Sequence, residues 1–252
     1  MLCTSADLRD KVRRKLCINF TRLKLYHFPA TRSVRVKWLL HELLDHDFDV
    51  EVVPLYDCAQ YRPEYLEKNP NHNVPALEFT LDNGERRVML ESGAMIAFLA
   101  DLFPEKGLAP APDVFSMERA DYMQMLHFGS TSMDMMLWQI RSHTHLLGSD
   151  SDGKTIVRYR NKFTREVEPQ LKARFGRHPF ICGARFSAAD CIMGQNVSWA
   201  QAYELCQDAV FSDYMHRLSE RRAFVKAYSD LAGFTLTPPD DRRVEFEENF
   251  NG

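Results

Sequence analysis

The chain has 252 residues, 45% apolar and 27% charged, with a formal net charge of -3. That is enough for a sizeable core and for two compact domains, and it excludes fibrous and collagenous classes. Acidic residues slightly outnumber basic ones, 35 to 32, so the chain as a whole offers no electrostatic footprint for nucleic acid. The richest apolar segment, Trp38 to Leu44, is broken by His41 and Glu42, which leaves no run long enough for a membrane span.

Residues 1–22 read as a basic arm: Met1 to Lys24 carry seven Lys/Arg against Asp7 and Asp10 and no apolar secretory core. Leu23 to Phe28 alternates with period two until Pro29 stops it, the pattern of a short strand entering a turn. Val36, Leu39, Leu40, Leu43 and Leu44 then fall on one helical stripe, and Phe48 to Leu55 reads as a second strand. Strand, helix and strand in about thirty residues form a βαβ unit with parallel strands. Pro63 to Lys68 reads as a short helix and Val74 to Thr80 as a third strand. Asp82-Asn83-Gly84 marks a hairpin turn leading to a fourth strand over Arg86 to Leu90. Ser92 is read as the cap of a helix running to Phe103, closed by Pro104. The order β-α-β-α-β-β-α is the thioredoxin-like arrangement, assigned to residues 23–104.

After a Pro-rich connector the pattern becomes all-helical over residues 105–231. Helices are expected near Ser116 to Thr144, Lys154 to Phe175, Ser187 to Cys206, Phe211 to Glu220 and Ala223 to Leu231. Residues 232–252 form an acidic tail. Phe234, Leu236, Val244, Phe246 and Phe250 are too many apolar groups for a purely solvated one. Pro238-Pro239 cannot continue a helix, so an extended segment docked over an interdomain cleft is expected, with Phe234 and Leu236 closing it.

Several motifs in the chain match a pattern without its chemistry. Six cysteines include no C-x-x-C pair, which fits free thiols, a cytoplasmic location and no zinc ribbon. The sequons at Asn19 and Asn196 are chance matches in such a chain. Gly148 to Thr155 satisfies the phosphate-loop pattern letter by letter, but no buried strand precedes it, and two aspartates would face the phosphates. The same stretch fails as a calcium loop, and His143-Thr144-His145 has no third ligand in sight, so no metal site is expected.

Four fragments occur in the order and spacing of one known family. They are Leu25-Tyr26-His27-Phe28-Pro29-Ala30-Thr31-Arg32-Ser33-Val34-Arg35-Val36, Asn69-Pro70-Asn71-His72-Asn73-Val74-Pro75-Ala76-Leu77, Glu91-Ser92 and Phe186-Ser187-Ala188-Ala189-Asp190. Over roughly Leu23 to Leu231 the chain resembles the cytosolic glutathione transferases, of the kind with a serine or threonine in the active site. The resemblance implies a thioredoxin-like domain joined to an all-α domain, glutathione as cosubstrate, a hydrophobic electrophile as partner and a homodimer.

It also implies residue roles. Thr31 stands where the family usually has serine or cysteine; its hydroxyl would donate to the glutathione sulfur, with Ser33 as the competing donor. Lowering a thiol pKa of roughly 8.5 by two units, about 2.7 kcal/mol, makes most of it nucleophilic at neutral pH. A cis Val74-Pro75 bond would turn the Val74 backbone toward the cysteinyl part of glutathione. Glu91 and Ser92, at a helix start that favours anions, would meet the glutamyl group. Asn73 replaces a basic residue that meets the glycyl carboxylate, a role Arg32 could take instead. Ser187 to Asp190 reads as a capping box serving folding. The methionine-rich helix from Met117 to Met136 is expected to pack in the core, line the electrophile pocket or meet a second copy. Transfer, reductive cleavage, isomerisation and a non-catalytic binding module all remain open.

Overall fold

The computed structural model describes residues 20–45 and 47–251; residues 1–19 of the expected basic arm, with Cys3, Cys17 and Asn19, lie outside them, while its last three residues belong to the first strand. Four strands form one sheet in the order β2-β1-β3-β4: β1 Phe20–His27, β2 Asp49–Val52, β3 Ala76–Leu81 and β4 Arg86–Met89. β1 runs parallel to β2 and antiparallel to β3, which pairs antiparallel with β4. This is the thioredoxin-like sheet expected from the sequence, and the Val74-Pro75 bond is cis.

Helix α1 (Ser33–Leu44) crosses between β1 and β2. It buries Val34, Val36, Trp38, Leu39, Leu40 and Leu43, and also Arg35 and Lys37. The stripe read from sequence marks only one face. The helix is covered on several, because it packs against β1, against α3 (Ser92–Leu102) and against the helices of the second half. In sequence, α2 (Pro63–Leu66) falls between α1 and α3. The second half carries α4 (Met117–His127), α5 (Asp134–Arg141), α6 (Gly153–Lys162), α7 (Glu168–Phe175), α8 (Ala188–Gln201), α9 (Ala209–Ser219) and α10 (Arg222–Ala227).

The helix expected over Ser116 to Thr144 is interrupted by a π-helical turn at Phe128–Met133 and continues into another at Ser142–Leu146. Each wide turn shifts the helical phase, so a single 3.6-residue period does not describe the segment. One apolar cluster runs from Leu23 and Leu25 on the sheet through Trp38 to Met133, Ile192 and Val197 in the helices. Close helix packing depends on Gly194, where a Cβ would fall 2.7 Å from Leu218 Cδ1 and 3.0 Å from Trp38 Cζ3.

The capping box is present at the start of α8. Asp190 takes Ser187 N–H at 2.8 Å on one oxygen, and Ile181 N–H and the Tyr214 hydroxyl on the other. Burial raises its pKa against those bonds.

Two expectations are corrected. Ser92 is the first helical residue of α3, not its cap; Glu91 precedes it and makes no side-chain cap bond. The tail is not extended throughout: past the two prolines it turns into α11 (Arg243–Asn251), because a proline excludes helix only at its own position and just before it. At the phosphate-loop look-alike, the Asp152 carboxylate accepts the N–H groups of Lys154 and Thr155, occupying the amides a phosphate would need.

Candidate active site

A cavity of about 740 Å³ lies between the sheet unit and the helices. Its walls are mostly aromatic, with Phe28 and Tyr56 on one side, Trp138 and Trp199 on another, and Phe234 among the tail residues. Thr31, Arg32, Asn73 and Val74 line it; Ser33, Pro75, Glu91 and Ser92 do not.

Thr31 sits in the turn after β1, where the chain leaves the sheet to start α1. Its hydroxyl donates to Phe28 O at 2.7 Å and lies 2.8 Å from Ser33 Oγ. Ser33 is fully buried. Its Oγ accepts Phe28 N–H at 3.1 Å and stands 2.7 Å from His27 Nδ1, whose Nε2 is 2.9 Å from Asp230 Oδ2. Of the two hydroxyls, Thr31 faces the cavity and Ser33 stands behind it.

Asn73 is tied into its loop: its carbonyl accepts the Tyr65 hydroxyl and Asn69 Nδ2, and its Oδ1 accepts Asn69 Nδ2 at 2.9 Å. Arg32, the alternative cation, has its guanidinium 4.7 Å from the Trp138 ring centroid and 5.5 Å from that of Trp199. It makes three hydrogen bonds to Asp134, from Nε to both oxygens and from Nη2 to Oδ1. Asp134 also takes Arg35 Nη2 at 2.5 Å. Burial acts to raise the Asp134 carboxyl, but the two guanidiniums outweigh it and hold the pKa below the usual range. Two cations around one carboxylate leave the trio with one net positive charge.

Ser92 lies at the far side of that trio, with its Oγ accepting Arg35 Nη1 at 3.3 Å. Arg35 further binds Gln195 and Asn196, which keeps the Asn196 sequon buried. Glu91 has φ 70° and ψ 106°, a conformation that costs a non-glycine residue about 1–3 kcal/mol and concentrates at ligand-binding positions.

Sequence reasoning missed part of the lining. Gln60 is buried, and its Oε1, like the Tyr228 hydroxyl, is shielded with no partner among the described residues. Arg141 reaches the cavity from α5 and donates to the Tyr56 hydroxyl at 3.2 Å. His27 and Asp230 are 203 positions apart, so no local spacing could have joined them. The tail completes the wall: Phe234 meets Phe28 edge-on, Phe246 meets Tyr56, and Phe250 packs on Trp138. Among the described residues no cluster of His, Cys, Asp and Glu could hold a metal, and no helix is long and apolar enough to cross a membrane.

Residues 25–107 match the family model for the glutathione S-transferase N-terminal domain. The chain is 27% identical over 205 residues to the disulfide-bond oxidoreductase YfcG of Escherichia coli, covering 80% of this chain and 92% of that one. It is 26% identical to a glutathione transferase from Methylococcus capsulatus, with a TM-score of 0.66 over 84% of this chain and all of that one. The glutathione transferase URE2P6 of Phanerochaete chrysosporium, solved with oxidized glutathione, superposes with a TM-score of 0.73 at 23% identity, over 84% of this chain and 96% of that one.

Proposed function

We propose that this protein is a member of the glutathione transferase family that activates glutathione as a thiolate for attack on a hydrophobic electrophile: residues 25–107 match the glutathione S-transferase N-terminal domain, and the described residues share the fold of a solved glutathione transferase. The observation that carries this is the convergence of Thr31, Asn73 and Val74 on one aromatic cavity. The unpartnered Gln60 Oε1 and Tyr228 hydroxyl add support, since shielded polar atoms in native structures ordinarily have partners. In this reading the Val74 backbone pairs with the cysteinyl unit, extending β3 like an added strand. The glutamyl group goes to the start of α3, where Ser92 and the surplus positive charge of the Arg32–Arg35–Asp134 trio favour its carboxylate and Glu91 meets its ammonium. Asn73 offers the glycyl carboxylate a neutral donor. The Thr31 hydroxyl turns from Phe28 O to the sulfur, where donating to the thiolate favours ionisation. The sulfur then attacks an electron-poor carbon held against Trp138 and Phe234, and the leaving group departs as an anion.

A second reading keeps the thiolate and changes its target to a disulfide. Bound thiolate attacks one sulfur of the disulfide, a mixed disulfide forms, the other sulfur leaves as thiolate, and a second glutathione resolves the intermediate. It is supported by the likeness to YfcG. No cysteine among the described residues lines the cavity, so both reducing thiols would come from glutathione. Parallel assays with 1-chloro-2,4-dinitrobenzene and a small dialkyl disulfide separate the readings. Conjugation of the first supports transfer, and glutathione-dependent reduction of the second alone supports exchange. Calorimetry showing no glutathione binding rejects both. Two copies of the chain are proposed to pair as a homodimer.

A further inference from the structure

A continuous hydrogen-bonded line runs from the cavity into the protein. Thr31 Oγ1 is 2.8 Å from Ser33 Oγ, Ser33 Oγ is 2.7 Å from His27 Nδ1, and His27 Nε2 is 2.9 Å from Asp230 Oδ2. The directions of the bonds follow from the chemistry of the end group. A carboxylate only accepts, so His27 Nε2 carries the proton that Asp230 takes and Nδ1 is left as a bare acceptor. Facing it is the Ser33 hydroxyl, which therefore donates to Nδ1. Ser33 Oγ in turn accepts the Thr31 hydroxyl when that hydroxyl turns from Phe28 O.

From this geometry we infer that His27, oriented by Asp230, receives the proton given up by the bound thiol through the hydroxyls of Ser33 and Thr31. The inference rests on the reading that the glutathione sulfur lies at Thr31. The step balances: the S–H proton passes to Thr31 Oγ1, the Thr31 proton to Ser33 Oγ, and the Ser33 proton to His27 Nδ1. The products are a thiolate facing a rebuilt Thr31 hydroxyl and an imidazolium between Ser33 and the Asp230 carboxylate. The logic is that of a nucleophile whose base is oriented by a third group, with two hydroxyls spanning the distance. His27 touches neither substrate nor sulfur; it acts through Thr31.

The surroundings suit the role. His27 is fully buried at the end of β1. The charged groups facing it are Asp230, from the segment after α10, and Lys37 of α1, whose Nζ also binds Asp230 Oδ2 at 2.7 Å. Burial lowers the imidazole's pKa and Lys37 lowers it further, while the Asp230 hydrogen bond opposes them, so the resting imidazole is neutral and able to accept. Burial acts to raise Asp230, but its bonds from His27 and Lys37 outweigh this and hold it down to about 2; it stays the anion an imidazolium needs.

The test compares wild-type protein loaded with glutathione and with S-methylglutathione, which fills the same site without a thiol proton. Side-chain ¹⁵N shifts of His27 at neutral pH should report an imidazolium with glutathione and a neutral ring with S-methylglutathione. In His27→Gln the midpoint of the thiolate absorbance titration should rise by about one pH unit, a tenfold loss of ionisation at fixed pH, with S-methylglutathione affinity unchanged. A His27 ring that stays neutral with both bound ligands overturns the inference while leaving the site reading intact. Failure of both ligands to bind overturns the site reading and the inference with it.

Discussion

Asp134 shows how much one buried carboxylate can hold. With Arg35 fully buried and Arg32 stacked between two indoles, Asp134 is the shared acidic partner of both guanidiniums. Removing one partner of a buried ion pair costs about 3–5 kcal/mol, because the other charge stays buried without compensation. Asp134→Asn should therefore lose about 3 kcal/mol or more of stability at neutral pH, measured by urea unfolding. The pH dependence has a definite sign. The folded carboxyl titrates below its ordinary value of 3.8, so its stabilisation is present above that pH and is lost as pH falls through the folded value. The gap between wild type and Asp134→Asn should shrink in acid, and a gap that widens there would contradict the assignment. At the start of α3 the expected effect is kinetic. Ser92→Ala and Glu91→Gln should raise KM for glutathione with less change in kcat, since both contacts lie away from the sulfur; the reverse split would contradict the proposed placement of the glutamyl group.

At the scale of elements, the tail and the α8 cap carry the clearest expectations. The segment after Leu231 bridges the two halves: the Tyr56 hydroxyl donates to Thr235 O at 2.6 Å, Arg141 stacks 5.6 Å from the Phe234 ring, and Phe246 is 4% exposed. Truncation after Leu231 should weaken binding of a bulky electrophile and leave glutathione affinity intact, as steady-state kinetics with large and small electrophiles would show. Loss of glutathione affinity instead would place the tail at the wrong end of the cavity. Asp190→Ala removes the acceptor for several buried donors as well as the box, so it should cost about 2–4 kcal/mol in chemical denaturation, more than Ser187→Ala.

These elements also show what a sequence can and cannot disclose. Strand alternation in β1, the Asn83-Gly84 turn, Val74-Pro75 and the box at Ser187 are local signals, and each lies where its local physics puts it. The π-helical turns beside Asp134, the closing helix α11 and the joining of His27 to Asp230 arise from packing between distant segments. Arg35 and Lys37 look like a solvated face of α1 until the neighbours that bury them are in place. The family pattern favours Thr31 with Ser33 as the competing donor; the turn that buries one hydroxyl and leaves the other on the cavity is a tertiary feature.

For the whole molecule, the surface left apolar is informative. On α3, Phe98 is 46% and Leu102 is 40% exposed, and Phe115 before α4 is 93% exposed. Such groups are an aggregation liability on a monomer, and two-fold pairing is the commonest remedy. Light scattering at micromolar concentration should give twice the monomer mass of 29.3 kDa, and Phe115→Glu with Phe98→Glu should shift it toward the monomer. A monomeric wild-type chain would reject the pairing. A thiolate held at Thr31 is the central proposal for this protein, and the direct measurement is the ultraviolet thiolate absorbance of bound glutathione as a function of pH. Wild type and Thr31→Ser should show it at neutral pH, well below the roughly 8.5 of a free thiol, and Thr31→Ala should not. Bound glutathione that titrates like the free thiol in wild type, or an unchanged thiolate in Thr31→Ala, would contradict the account.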